Sequence, residues 1–204
     1  MNYVIIGNSA AAVGTIEGIR QIDKTGKITV ISDEKYHTYS RPLISYWLMG
    51  KVTDKNIYYR SPDFYEKNGV ETLFGTRVTK IDTAAKNVVL SDGNTVPYDK
   101  LMVANRSKPF VPPMNGMDKI ASCHTFMNYD SVKAIRAEVK PRMKVLIIGA
   151  GLIGLKAAEA LNEYKADITV VDMADRILPS ILDIRAGSIM KKHIESKGTK
   201  FILG

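Results

Sequence analysis

A single cysteine, Cys123, stands in 204 residues. One thiol can form neither an internal disulfide nor a CxxC pair, so a disulfide-stapled framework and an internal dithiol redox centre are both excluded. No run approaches the roughly 20 uninterrupted apolar residues that cross a bilayer. The first residues, MNYVIIGNSA, carry neither a basic leader region nor a cleavage pattern. The expectation is a cytoplasmic protein with no membrane partner. Three isolated histidines and one cysteine make no four-ligand zinc pattern, so no metal is expected. The 29 Lys and Arg are dispersed among 21 Asp and Glu, with no basic run of five and no basic-aromatic RNA-binding motif, which argues against nucleic acid. The net charge of +8 suits anionic ligands or an acidic protein partner instead.

What is present is one supersecondary unit written twice. Residues 3–6 form a short apolar run ending at Gly7. The small residues 9–13 follow, then an amphipathic stretch through Ile16, Ile19 and Ile22, which reads as strand, tight turn and helix. A second apolar run, 28–31, ends in Ser32, Asp33 and Glu34, and completes a parallel βαβ unit. The pattern returns 142 residues later: a strand at 144–148, GAGLIG from Gly149, a helix at 155–164 with Ala157, Ala158 and Leu161 inward, and a strand at 168–171 ending in Asp172. That offset is too long for a solenoid and suits two successive nucleotide domains.

Between the copies, strand candidates at 71–81, 87–90 and 95–97 surround the turn Ser91-Asp92-Gly93-Asn94 and predict a β-meander. Residues 108–116, KPFVPPMNG, hold three of the eight prolines and make a stiff crossover, which places the domain change near residue 110. A helix at 187–198 leads into a strand at 200–203 that closes nothing. The fold class expected is α/β with two Rossmann-like dinucleotide-binding units, 1–110 carrying the meander and 111–204 following, both incomplete and the chain shortened.

In the second copy, Gly149 permits the tight turn, Gly151 lets the backbone approach a pyrophosphate, and Gly154 allows close packing of helix on strand, with Ile153 inside the motif. Asp172, 23 residues beyond Gly149, is placed to accept hydrogen bonds from an adenosine ribose diol and to repel a 2′-phosphate, which favours NADH over NADPH. Arg176 works against that preference, because an arginine nearby could hold the extra phosphate. The first copy is degenerate: GNSAAA from Gly7 puts Ser9 and Ala12 where the later glycines would stand. Its ribose acid is Asp33 or Glu34, with a longer 22–27 loop leaving the choice open.

Taken in order, GNSAAA, the strand end ISDE, YSRPLI from Tyr39, VTKID from Val78, YDKLMVA from Tyr98, the proline crossover, GAGLIG and DMADRILP from Asp172 resemble the pyridine nucleotide-disulfide oxidoreductase superfamily. YSRPL in place of a redox-cysteine segment is similar to its non-thiol branch of NADH:rubredoxin reductases, ferredoxin reductases and nitrite reductase flavin domains. The resemblance implies FAD in the first domain and NAD(P)H in the second, with hydride passing from nicotinamide to flavin and electrons onward to a small acidic carrier such as rubredoxin. It implies that Gly7, Ser9, Ala10 and Ala11 lie against the FAD pyrophosphate, Asp33 at the ribose, Arg41 and Pro42 beside the flavin, Val78 at the adenine and Ala104 near the flavin-binding strand. No catalytic side chain is required, because the flavin carries the chemistry.

The sequence departs from the family pattern in four places. Arg106 stands where a glycine is usual, which is expected to weaken FAD. Tyr46 or Trp47 stands where a lysine often follows the arginine-proline segment, and Lys156 where a glutamate is often found. The chain is also about half the family's length, which leaves a second reading open: a nucleotide-binding fragment that catalyses nothing. Among the remaining residues, adjacent Cys123 and His124 on a strand would face opposite ways, so a buried thiol beside a surface histidine is expected rather than a nucleophile and its base.

Overall fold

A computed structural model describes residues 1–204. The chain divides into two compact units, Met1–Ser40 with Lys55–Lys108, and Arg41–Asp54 with Pro109–Gly204.

The first unit is built on four parallel strands in the order β3-β2-β1-β7: β1 (Asn2–Ile6), β2 (Lys27–Ser32), β3 (Val70–Phe74) and β7 (Lys100–Val103). Both faces are covered, so β1 and β2 are apolar on both sides, as parallel strands require. Ile5, Ile28 and Val30 pack against Ala12, Val13 and Ile16 of α1 (Ala10–Ile22) and against Phe64 and Tyr65 of the short α3 (Phe64–Lys67). On the opposite face Val4, Ile6 and Ile31 meet Val88 and Leu90 of the antiparallel meander β4 (Val78–Asp82), β5 (Asn87–Leu90) and β6 (Thr95–Pro97).

The candidate strand at 71–81 is therefore two elements. Gly75, at φ 72°, ends β3, which pairs in parallel with β2, and the chain starts again as the first meander strand. The turn Ser91-Asp92-Gly93-Asn94 joins β5 to β6, with Gly93 at φ 87°.

The second unit repeats the plan with three parallel strands in the order β10-β9-β8: β8 (Lys144–Ile148), β9 (Asp167–Asp172) and β10 (Lys200–Leu203). They are linked through α5 (Leu152–Asn162) and α6 (Ile184–Glu195). Alanines at 157, 158 and 160 bury the inner face of α5, small enough for the helix to lie close to the sheet. An additional helix, α4 (Tyr129–Glu138), is fixed at its start by a capping box between Asn128 and Ser131.

The segment Arg41–Asp54, with α2 (Leu43–Leu48), goes with this second unit, for reasons that lie in side chains. Trp47 packs edge-on against Tyr129 at 5.0 Å, and both donate hydrogen bonds to Asp54, holding its carboxyl below the usual range. Tyr164 donates to the Leu48 carbonyl.

Cys123 is exposed, which corrects the expectation of a buried thiol. Residues 121–125 form no strand, so alternation of faces does not apply there. His124 is held instead by Glu138, 3.0 Å away, with Ser122 contacting both.

Two glycines give opposite expectations. At Gly7, with φ 111°, a Cβ would overlap the Ala104 carbonyl, whereas at Gly14 in α1 it would meet nothing within 4 Å. Gly7→Ala should lower unfolding free energy by about 3 kcal/mol, from backbone strain and displacement of the β7 end. Gly14→Ala should raise it by about 0.5–1 kcal/mol. Urea denaturation of both variants checks the opposite signs.

Candidate functional site

Each unit gathers its glycine loop and the acids that follow it at the C-terminal ends of its parallel strands, where ligands of open α/β sheets bind, whereas Val78 lies in the meander and Arg41 and Pro42 at the start of α2. In the second unit the Gly149 N–H donates to the Val171 carbonyl and Gly149 takes φ 109°, turning the chain out of β8. No atom lies within 4 Å of where a Cβ would sit on Gly149 or Gly151, so the loop presents bare backbone. A Cβ on Gly154 would overlap the Gly149 carbonyl oxygen, so this third glycine is what lets α5 start so near the strand. Gly151 is the N-cap and supplies no side-chain acceptor, so no side chain caps the first-turn N–H groups of α5. Ile153 sits in that first turn, half-exposed.

Asp172 ends β9 and braces the loop. One carboxylate oxygen accepts from the Ala150 N–H at 2.7 Å and the other from the Ala174 N–H at 2.8 Å. A carboxylate offers about four lone-pair sites, so two neighbouring hydroxyls can still be accepted while the backbone fixes the group's direction. The loop and its acid thus fit an adenine dinucleotide. Arg176 is engaged elsewhere, with Asp175 at 2.9 Å and the Pro179 carbonyl at 3.3 Å.

The first unit follows the same geometry with different chemistry. The Gly7 N–H donates to the Ile31 carbonyl, so Ser32 is the counterpart of Asp172, and the Ser32 hydroxyl accepts from the Glu34 N–H as Asp172 does from Ala174. The added spacing lies in the helix, not the loop: α1 has 13 residues against 11 in α5. The connections Asp23–Gly26 and 163–166 are equally long. Ser9 is the N-cap of α1 with no capping bond from its side chain to the helix, and Ala10 and Ala11 are exposed. Ala104 leaves β7 directly over Gly7, its N–H bonded to the Ile6 carbonyl.

Asn8, which sequence reasoning passed over, is buried and anchors the loop. It donates to the Tyr36 carbonyl and accepts from the Tyr65 hydroxyl. Burial pushes the Tyr65 phenol up to about 12, so it remains a donor across the physiological range. A buried polar residue between two small ones was the available signal. Val78 begins β4 and packs half-buried on the core beneath the meander.

The acids of the first unit are unequal. Asp33 is exposed, whereas Glu34 is buried and bonded to Arg106 at 2.5 Å and to the Tyr39 hydroxyl at 2.9 Å. Backbone loop and helix start fit a pyrophosphate, and the acid end is already occupied by side chains. Arg41 and Pro42 go with the second unit, where Arg41 donates to the Met127 carbonyl at 3.1 Å and Pro42 caps α2. Next to them Trp47 is buried and Tyr46 half-exposed, with the Lys156 ammonium 5.0 Å from the Tyr46 ring centre and 2.7 Å from Glu159.

Comparison with known proteins agrees over the full length. The ε subunit of an NADH-dependent phenylglyoxylate dehydrogenase from Aromatoleum evansii is 30% identical over 202 residues, spanning 99% of this chain and 48% of its own. The water-forming NADH oxidase of Lactobacillus brevis, bound to NADH, superposes with a TM-score of 0.89 at 26% identity, covering 100% of this chain and 46% of the oxidase. An engineered NADPH-bound variant of that oxidase gives 0.90 at 25%, with the same coverage. Putidaredoxin reductase, in its covalent complex with putidaredoxin, gives 0.89 at 27%, covering 100% and 49%. The chain spans about half the length of such curated relatives. The family model of the pyridine nucleotide-disulphide oxidoreductases matches residues 1–204, and the chain belongs to that family.

Proposed function

We propose that the chain is the flavin- and nicotinamide-binding part of an NADH-dependent flavoprotein oxidoreductase that passes electrons to a small acceptor protein. In this reading residues 1–110 hold FAD and 111–204 hold NADH. The carrying observation is the doubled strand–glycine–helix unit, whose second copy keeps a bare glycine loop and a backbone-braced Asp172.

The NADH assignment has separate support. The NADPH-bound variant of the Lactobacillus oxidase differs from its parent at a glycine and, 18, 19, 20 and 25 residues beyond it, at an aspartate, an alanine, a methionine and a proline. Counting the same intervals from Gly154 reaches Asp172, Met173, Ala174 and Pro179. This chain therefore carries a glycine, the aspartate and the proline of the NADH form, with Met and Ala in the opposite order between them. Arg176 is oriented by Asp175 and the Pro179 carbonyl.

Bound FAD would supply two-electron acceptance and one-electron release. The protein's part is placement. N–H groups around Gly7, Ser9, Ala10 and Ala11 meet one pyrophosphate and those around Gly149, Gly151 and Ile153 the other, each at a helix N-terminus whose dipole favours negative charge. Asp172 sets the orientation of the NADH ribose, and the Val78 backbone borders the adenine of FAD. Arg41 and Pro42 are assigned to the flavin side. The net charge of +8 supports an acidic carrier of the rubredoxin or putidaredoxin kind. The same reading places the protein in the cytoplasm, where an exposed lone thiol stays reduced. No helix is long and apolar enough to cross a membrane. The engagement of Glu34 by Arg106 favours one alternative, a nucleotide-binding chain without catalysis; reduction of added FAD by NADH separates the two.

Three outcomes follow from this reading. Gly151→Ala should leave thermal unfolding unchanged, since its methyl meets no neighbour. It should weaken NADH at least about tenfold by holding the pyrophosphate off the backbone. Calorimetric titration beside a melting curve tests this, and an unchanged NADH affinity would remove the loop from the site. The unmodified chain should bind NADH about tenfold or more tighter than NADPH, and Asp172→Ala with Met173→Arg should reverse the order. Equal affinities in the unmodified chain would defeat the assignment. Association with an acidic carrier should slow steeply as salt shortens the Debye length from about 10 Å to about 3 Å, read by stopped flow.

A further inference from the structure

Arg106 follows β7 in the left-handed region, at φ 56°, where a residue bearing a Cβ is strained and persists only if its surroundings hold it. What holds it is Glu34. The guanidinium bonds one oxygen of that carboxylate at 2.5 Å, Tyr39 donates to the other at 2.9 Å, and Asp33 lies 4.0 Å from the guanidinium. The Glu34 side chain is 10% exposed and that of Arg106 30%, so the guanidinium lies on the solvent side of the carboxylate. Gly7 and Ala104, which meet at the same strand ends, put this ion pair beside the loop assigned to a pyrophosphate.

We propose that Arg106 competes with the adenosine ribose of FAD for Glu34, so that the first unit is self-liganded when empty and admits the nucleotide only as the guanidinium swings away. The proposal rests on the FAD reading of this unit. The ribose of an adenine nucleotide offers two neutral hydroxyl donors, and Glu34, two residues beyond β2, is the buried acceptor there, Asp33 being exposed. In the empty chain its two oxygens are taken by a cation and a phenol. A ligand must exchange a bond from a cationic donor for bonds from neutral hydroxyls, and its apparent affinity falls by the fraction of molecules in which Glu34 is open. The ion pair has a second effect: it keeps a buried carboxylate from standing without a counter-charge. Arg106 therefore stabilises the empty unit and weakens the filled one, two effects of opposite sign from one contact.

That opposition is the test. Titrating the whole chain with FAD, followed by the change in flavin absorption and fluorescence, should show Arg106→Ala binding on the order of tenfold more tightly than the unmodified protein. The melting temperature of the ligand-free variant should fall at the same time. Arg106→Gln, which keeps a neutral donor beside Glu34 and disturbs folding less, should shift both readings the same way by smaller amounts. In a Glu34→Gln background, replacing Arg106 should no longer tighten FAD, because the contested acceptor has lost its charge. A residue that merely supported the fold would lose stability and affinity together. If both Arg106 variants bind FAD as the unmodified chain does, or more weakly, the competition is refuted and the FAD reading survives. If FAD produces no signal with any of these proteins, the FAD reading fails and takes the competition with it.

Discussion

Backbone crowding at the strand-to-helix turn is the constraint on which both units depend. The chain leaves the strand for the helix through a turn in which a glycine lets two backbone segments pass closer than a Cβ allows. In one unit this falls on Gly7 against the Ala104 carbonyl, in the other on Gly154 against the Gly149 carbonyl. The crowded atoms differ, but the result is shared: an uncapped helix start at the strand ends, with small residues around it. Everything proposed for function uses that exposed backbone.

The two copies then diverge in where they keep their acid. Superposing them by the bonds Gly7 to Ile31 and Gly149 to Val171 puts Ser32 opposite Asp172. The Ser32 hydroxyl, with one of its two lone pairs taken by the Glu34 N–H, can accept from one further donor, where the braced carboxylate can still accept from two. The first unit carries its carboxylates one and two residues later, one exposed and one buried. Moving the acid off the strand end exposes it to new neighbours, and Tyr39 and Arg106 are those neighbours.

Period and glycine spacing made β1, β2, β5, β6, β8, β9 and β10, the helices α1 and α5 and the meander turn legible, because those elements are fixed by local pattern; β7, at the far side of β1, was not read as a strand. The elements that escaped are fixed by tertiary partners. β3 and β4 read as one run, since nothing local announces that the first half pairs with β2 and the second with β5. The helix α4 is held by its cap and by aromatic contacts with α2, neither of which has a strong period. Two added residues between Gly7 and β2 looked like loop and are helix. At the candidate site, the glycines and Asp172 were legible from spacing. The pairing of Arg106 with Glu34, 72 residues apart, was not, because only the sheet order places β2 and β7 on either side of β1 with their C-terminal ends together.

The other departure from the family pattern resolves in the same way. The resemblance implies a lysine after the arginine-proline segment and a glutamate inside the second helix. Here α2 contributes the Tyr46 ring, and α5 contributes both charges, Lys156 and, one turn on, Glu159 at 2.7 Å. Glu159 holds the Lys156 ammonium above its usual range. The ammonium lies over the Tyr46 ring, an arrangement that favours it electrostatically. A pair written across two segments is sensitive to their separation; one written at i and i+3 of a single helix is set by helix geometry alone. The positive charge is thereby fixed on the helix that begins at the GAGLIG loop.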